Sequence, residues 1–240
     1  EVSKRNFYDF NKREEEAGKR LWAKSSLAGR GQENQHGRVM SNSLDAEAMP
    51  YTEQGHVFSV LNFPAANAGW AYDLTSGLWH ERGVWNGLDF DVMDVRACIN
   101  ANGLNLVVSR TGSGVYEMSQ SFFTETDGAT GLRRVRRAPH LIKTQNRIRY
   151  SHLRLLMETG LGLAFGQGSD PQVMLRWSND GGQTFGAEYL ASAGPVGAYG
   201  ILVDWWQLGQ GRDRVFEVST SDPWPVRLVD AFLDFSEGPS

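Results

Sequence analysis

The chain is predicted to be all-β: short antiparallel strands forming propeller-like blades, with an incomplete propeller or a β-sandwich part left open, preceded by a short helical and extended N-terminal arm. Three observations lead there. The segment Ser178-Asn179-Asp180-Gly181-Gly182-Gln183-Thr184-Phe185 matches the Asp-box pattern S-x-D-x-G-x-T-[WF], a hairpin turn recurrent in propeller blades. Just before it, Val173, Leu175 and Trp177 alternate with Met174 and Arg176, the period of two expected of a half-buried strand. The 240 residues also hold 27 glycines and eight tryptophans, which suits many short strands joined by tight turns. Within the turn, an aspartate can accept hydrogen bonds from backbone amides, glycines admit positive φ, and the closing aromatic packs beneath. Ser178, Asp180, Gly182, Thr184 and Phe185 are therefore expected to be structural, not catalytic.

Two regions are expected along the chain, an arm or linker over 1–50 and an all-β domain over 51–240. Asn11-Lys12-Arg13-Glu14 reads as a capping box, and the pairs Glu15 with Lys19 and Glu16 with Arg20 support a helix near 11–24. Its apolar face is thin, with Ala17 and Leu21 on one side, Trp22 offset, and Gly18 costing roughly 1 kcal/mol. From Ser25 to Glu47 the composition is rich in Ser, Gly, Asn and Gln without periodicity, as in an extended arm that could dock on a neighbouring subunit.

Strands are expected over 56–63, 69–74, 78–82, 93–99, 104–109 and 114–119. The turns between them, Thr75-Ser76-Gly77, Asn100-Ala101-Asn102-Gly103 and Thr111-Gly112-Ser113-Gly114, supply residues that tolerate positive φ, so consecutive antiparallel pairing follows. The hairpin from Trp70 to Trp79, with aromatics on both arms, loosely echoes Trp177 to Phe185. Further strands are expected over 161–165, 173–177, 188–192, 201–208, 214–220 and 226–235, with Pro223 and Pro225 marking a strand boundary or free edge.

Composition removes several classes of function. No apolar run approaches the length that crosses a bilayer as a helix. A net charge of -4 argues against a surface that embraces nucleic acid throughout, while leaving room for a local basic patch. The single cysteine, Cys98, cannot form an intrachain disulfide and is expected to be a buried thiol. Glu1 is not followed by a basic-then-apolar leader, so the chain is not expected to be a secretory precursor. No Cys/His cluster has metal-ligand spacing. His56, His80, His140 and His152 are scattered and expected to be ordinary packed or surface residues. The glycines at 160, 162, 166 and 168 lack the lysine and following helix of a phosphate cradle, so no cofactor is expected.

Basic residues are concentrated in one strand-like stretch that includes Arg133, Arg134, Arg136, Arg137, Arg147 and Arg149. Three readings stay open there: a solvated face with local salt bridges, an arginine surface that meets acidic groups on a partner protein, or a sequence-blind contact with DNA. Trp205 and Trp206, adjacent on a strand, point to opposite faces, so one is expected to fill the core and the other to sit at an interface or against another sheet. Trp224, between Pro223 and Pro225, is expected on an exposed loop as a second aromatic contact. An enzyme reading would draw on Tyr150, Glu158 and Glu188 with the arginines, since sialidases also carry Asp-boxes, but nothing in the spacing selects those residues. The expectation is no catalytic residue, with a carbohydrate-binding or sialidase-like Asp-box propeller as the alternative.

Taken in order, His140-Leu141, Gly166-Gln167-Gly168-Ser169-Asp170-Pro171-Gln172-Val173, the Asp-box and Leu208-Gly209-Gln210-Gly211-Arg212-Asp213-Arg214-Val215-Phe216-Glu217-Val218 resemble the C-terminal half of the packaged-DNA stabilisation proteins of short-tailed bacteriophages. The hairpin from Trp70 to Arg82 fits as well. The resemblance thus spans about residues 50 to 235 and leaves out the arm. It implies a structural virion protein, a tail hub or head-completion factor made in the host cytoplasm and placed in the tail near the head–tail junction. The implied role is to stabilise packaged DNA and join the portal-adaptor complex to tail appendages. Implied partners are the adaptor ring, a tailspike or fibre, the tail needle and copies of the chain itself, with a sequence-independent contact to packaged DNA open.

Overall fold

The computed structural model describes residues 45–125, 128, 130–142 and 146–236, with backbone alone at 32–33, 39–40 and 237. The helix expected near 11–24 and most of the arm after it lie outside the described residues. The chain divides into two compact units, one over Asn11–Phe122 and one built on Phe123–Ser240.

The first unit is built of antiparallel meanders. Strands β1 (Glu47–Glu53), β2 (His56–Phe63), β3 (Ala68–Asp73) and β4 (Leu78–Glu81) pair in chain order, and β5 (Ala97–Ala101), β6 (Leu104–Val108) and β7 (Val115–Met118) form a second sheet. Strand β1 begins inside the segment read from sequence as linker, because Met49 and Tyr51 alternate inward with Ala48, Pro50 and Thr52 outward. Its Pro50 is tolerated because β1 lies at the sheet edge. Met49, Tyr51, Phe58, Val60 and Ala71 form the core, with Val95, Cys98 and Met118 packed against it. Cys98 is half-buried there, and burial raises its thiol pKa. The turns Gln54-Gly55 and Asn102-Gly103 carry positive φ at both positions, which lets two-residue loops follow the strand twist.

Strand β3 ends in a turn organised by one buried carboxylate. Asp73 accepts hydrogen bonds from the Thr75 amide at 2.9 Å and the Ser76 hydroxyl at 2.5 Å, and lies 2.7 Å from His56 Nδ1. Burial raises its pKa, but the bonds from Ser76, His56 and the turn amides outweigh burial and bring the carboxyl from 3.8 to about 2. Because the folded value lies below the unfolded one, the stability it contributes is present above the unfolded pKa and disappears as pH falls through the folded one, between about 4 and 2. Asp73→Asn should therefore be less stable than wild type at neutral pH, with the difference shrinking across that acid window in urea titrations. Parallel acid profiles for the two proteins would remove Asp73 from the account.

In the second unit, two sheets enclose one core. The first runs β8 (Arg134–Arg137), β13 (Asp213–Thr220), β10 (Gln172–Ser178), β11 (Tyr189–Ser192), and Leu141–Ile142 adds to β13. The second is centred on the ten-residue β9 (Ile148–Met157), which pairs with β12 (Val203–Trp206), with Gln210–Gly211, and with β14 (Leu228–Glu237). Val173, Leu175 and Phe216 from one sheet meet Leu153, Leu155, Val203, Trp205, Ala231 and Leu233 from the other. At roughly 25 cal/mol per Å² of apolar area buried, this shared interior is the main term holding the unit together.

The all-β, antiparallel expectation matches what is seen, whereas the propeller does not appear: none of the sheets among the described residues closes, and the second unit is two sheets over a core. Two further expectations are corrected. Leu161–Phe165 is not a strand, because the Leu163 amide donates to Gly168 O at 2.7 Å and Ser169 to Gly166 O at 3.1 Å, closing a loop with positive φ at both glycines. Trp224 is not exposed but fully buried, its indole N–H donating to Thr220 Oγ1 at 3.2 Å within the core. The flanking prolines mark the end of a strand, and the chain turns inward there.

Candidate functional site

The Ser178–Phe185 turn leaves β10 as a hydrogen-bonded knot. Asp180 Oδ1 accepts from the Gln183 amide at 3.0 Å and the Thr184 amide at 2.9 Å, and the Ser178 and Thr184 hydroxyls donate to the same carboxylate. Ser178 Oγ in turn accepts from the Gly182 amide at 2.9 Å, and Gly181 and Gly182 both have positive φ. The bonds from Ser178 and then Thr184 hold the Asp180 pKa well below the usual carboxylate range. A carboxylate engaged by so many donors inside its own turn has little capacity left for chemistry.

The knot places Phe185 beside an ion cluster. Glu217 on β13 stands opposite Arg137 on β8 and Arg176 on β10 in the sheet register. Arg137 donates to Glu217 Oε2 at 2.9 and 2.6 Å, and Arg176 Nε donates to Oε1 at 2.6 Å. The two guanidinium carbons lie 4.9 and 4.8 Å from the Phe185 ring centre, within cation–π range. The aromatic of the turn thus covers a buried carboxylate held between two arginines.

The basic stretch is divided by the fold. Arg133 bonds Glu188 at 2.6 Å and the Ser219 hydroxyl at 3.2 Å, and Arg137 is committed to Glu217. Arg134 is half-buried near the Phe123 ring at 5.6 Å, and burial lowers its pKa. Arg136 is half-buried opposite Val218. Arg147 and Arg149, by contrast, are exposed and make no hydrogen bond or ion pair among the described residues, as is also true of Arg212 at the bend between the sheets.

Strands β9, β12 and β14 present a second polar cluster on their outer face. His152 lies directly across from Trp206 on one neighbour and Asp234 on the other. Its Nε2 is 3.1 Å from Asp204 Oδ1 and its Nδ1 is 3.2 Å from Asp234 Oδ2. Arg154 completes the group with bonds of 2.7 and 2.9 Å to Asp204, the main reason that the Asp204 pKa is lowered. The Trp206 indole stacks on the clamped imidazole at 3.8 Å and remains 64% exposed, while Trp205 faces the core.

The residues an enzyme reading would use are not brought together. Tyr150 is buried in the core, donates to Leu141 O at 3.3 Å, and is pushed by burial up to about 12. Glu158 pairs with exposed Arg227 at 3.3 Å, and Glu188 is held by Arg133. Among the described residues no group of three or more His, Cys, Asp or Glu side chains is placed to hold a metal ion, and no helix is long and apolar enough to cross a membrane. Sequence reasoning missed Glu217, Arg176, His152 with its aspartates, and Arg214, which is buried in the core against three aromatic rings. Strand parity was the available signal for Arg214, since it shares a face with Phe216 and Val218.

Residues 133–236 match the family model described as Bacteriophage P22 Gp10, beta-sandwich. That part of the chain is similar to a phage virion domain. The matched span covers β8 to β14 almost completely, and the two-sheet core seen here agrees with a β-sandwich. The match supports a phage structural tail protein with other virion proteins as partners. Comparison with curated proteins gives no match. On this two-sheet core Trp206 is exposed, and Arg147 and Arg149 make no hydrogen bond or ion pair among the described residues.

Proposed function

We propose that the chain is a non-enzymatic virion component, a tail hub or head-completion factor near the head–tail junction that helps retain packaged DNA and connects the portal-adaptor complex to tail appendages. The match of residues 133–236 to a phage β-sandwich carries this reading. Its first-unit meander, four strands paired in chain order, has the form of a propeller blade and supplies the propeller-like part of the proposal. The carboxylates that could have served catalysis are engaged in turns and ion pairs, which supports a scaffold role over turnover.

In this role the surface works through contact. A preorganised aromatic such as Trp206, and Arg147 and Arg149, which make no hydrogen bond or ion pair among the described residues, are the groups offered to neighbours. Electron microscopy of assembled particles should place the chain at the head–tail junction, and particles lacking it should lose DNA. A chain missing from purified particles, or sialidase turnover abolished by one acidic substitution, would overturn the reading. Glycan binding without turnover would favour the carbohydrate-binding alternative.

A further inference from the structure

Most arginines of the second unit spend their donors inside it. Arg133, Arg137, Arg154, Arg176 and Arg227 each meet a carboxylate, and Arg214 is bonded in the core. Three others gather at one end of the β9 sheet. Arg147 is exposed just before β9, Arg149 is exposed within it, and Arg212 is exposed just after Gly211, which stands across from Ile148. None of the three makes a hydrogen bond or ion pair among the described residues. The carboxylates beside them are occupied: Asp213 lies 2.9 Å from His140 Nδ1, and Asp234 lies 3.2 Å from His152 Nδ1.

We propose that this end of the sheet binds the phosphate backbone of a nucleic acid without reading its sequence. Three guanidinium groups, in a chain whose formal net charge is -4, make a local positive field that nothing among the described residues neutralises. Each is a planar fork that grips two oxygens of one phosphate. The spacing suits a row of them. Ile148 and Tyr150 are buried, so Arg149 points outward, and Arg147 precedes it by two residues, about 7 Å along the strand. Neighbouring phosphates along one nucleic-acid strand are separated by a step of similar size.

The neutral residues around the arginines favour phosphate over an acidic protein surface. Arg149 stands across from Gln210 on one side and Ser236 on the other, and both are exposed. Amide and hydroxyl side chains of this kind are regular phosphate contacts. A protein partner calls for an apolar centre within the charged rim, and no apolar side chain occupies those two positions. The arginines lie at the end of a sheet and not on a projecting helix or ribbon, so they meet the backbone and not the base edges in a groove.

This inference rests on the structural reading above, since it names one neighbour of the same surface, and it is tested on the complete chain in solution, apart from any particle. Fluorescence anisotropy with two labelled DNA duplexes of unrelated sequence should show weak and equal binding to both. With three phosphate contacts a fourfold rise in salt should weaken binding about 40-fold, and with two contacts about 12-fold. Arg147→Ala, Arg149→Ala and Arg212→Ala should therefore each flatten the salt dependence by about one contact, and the triple variant should lose binding with unchanged circular dichroism. Arg227→Ala, at the other end of β9 and paired with Glu158, should leave the salt dependence as it is. Tighter binding of a polyglutamate peptide or of phosphatidylglycerol vesicles than of the duplexes, a clear preference between the two sequences, a duplex affinity that the triple variant keeps, or no binding at low salt would overturn the proposal. Absence of duplex binding by a chain that electron microscopy still places at the head–tail junction would count against this inference alone.

Discussion

Arg214→Ala is expected to cost about 3 to 5 kcal/mol, a large share of the stability of a unit this size. The Arg214 side chain is fully buried, yet among the described residues no carboxylate bonds it. Its Nε donates to Asn179 Oδ1 at 2.8 Å, Nη2 to Gln210 O at 2.9 Å, and Nη1 to Leu208 O. The guanidinium also lies 4.6, 5.2 and 5.6 Å from the ring centres of Tyr150, Trp177 and Phe216. Burial lowers its pKa, the usual consequence of dehydrating a cation. Truncation leaves a cavity between the rings and frees two carbonyls of the loop that carries the chain from β12 toward β13. Arg214→Met fills much of the cavity and escapes the dehydration of the charge, but still leaves those carbonyls unpaired, so a smaller loss of about 1 to 3 kcal/mol is expected. Arg214→Lys cannot span three acceptors with one ammonium and should not restore wild-type stability. Urea unfolding followed by far-UV circular dichroism separates these cases. An alanine variant within about 0.5 kcal/mol of wild type would show that the rings and loop hold without the arginine.

How much of this was legible in the chain depended on whether the deciding contact was local. The alternation of Val173, Leu175 and Trp177, and the donors and glycines of Ser178–Phe185, lie within a few residues of their partners, so both the strand and the turn could be read directly. Trp205 and Trp206 followed from strand parity alone. Long-range register is different. Glu217 meets Arg137 across 80 residues and Arg176 across 41, and a single-residue slip of either strand would turn those side chains to the other face. The arrangement of the sheets was out of reach for a related reason: local turn chemistry specifies hairpins, while the way hairpins close into blades or fold over as a sandwich is decided by contacts between sheets. Trp224 was misplaced because proline spacing signals the end of a strand but says nothing of which way the chain then turns. The arginine stretch was legible only as composition: burial and register commit Arg133 to Glu188 and Arg137 to Glu217, while Arg147 and Arg149 make no hydrogen bond or ion pair among the described residues.

Glu217→Ala should be the second large effect, about 2 to 3 kcal/mol, somewhat below the loss usual for breaking a fully buried pair. Glu217 has a side chain 0% exposed, whereas Arg137 and Arg176 are 36% and 28% exposed and can swing partly into water once their partner is gone. The loss has two parts. Two guanidinium groups that shared one carboxylate are left facing each other, and Phe185 loses the flat cationic bed on which it rests. Glu217→Gln keeps the volume but removes the charge, and should fall between alanine and wild type. Arg137→Ala should cost less than about 1.5 kcal/mol, because Arg176 still neutralises the carboxylate. The two losses should not add: with Glu217 already alanine, removing Arg137 also removes a repulsion, so the second substitution should be close to neutral or slightly stabilising. A double-mutant cycle in urea measures this directly. Strict additivity would mean that the residues act independently and that the turn, through Phe185, covers nothing that matters to the fold.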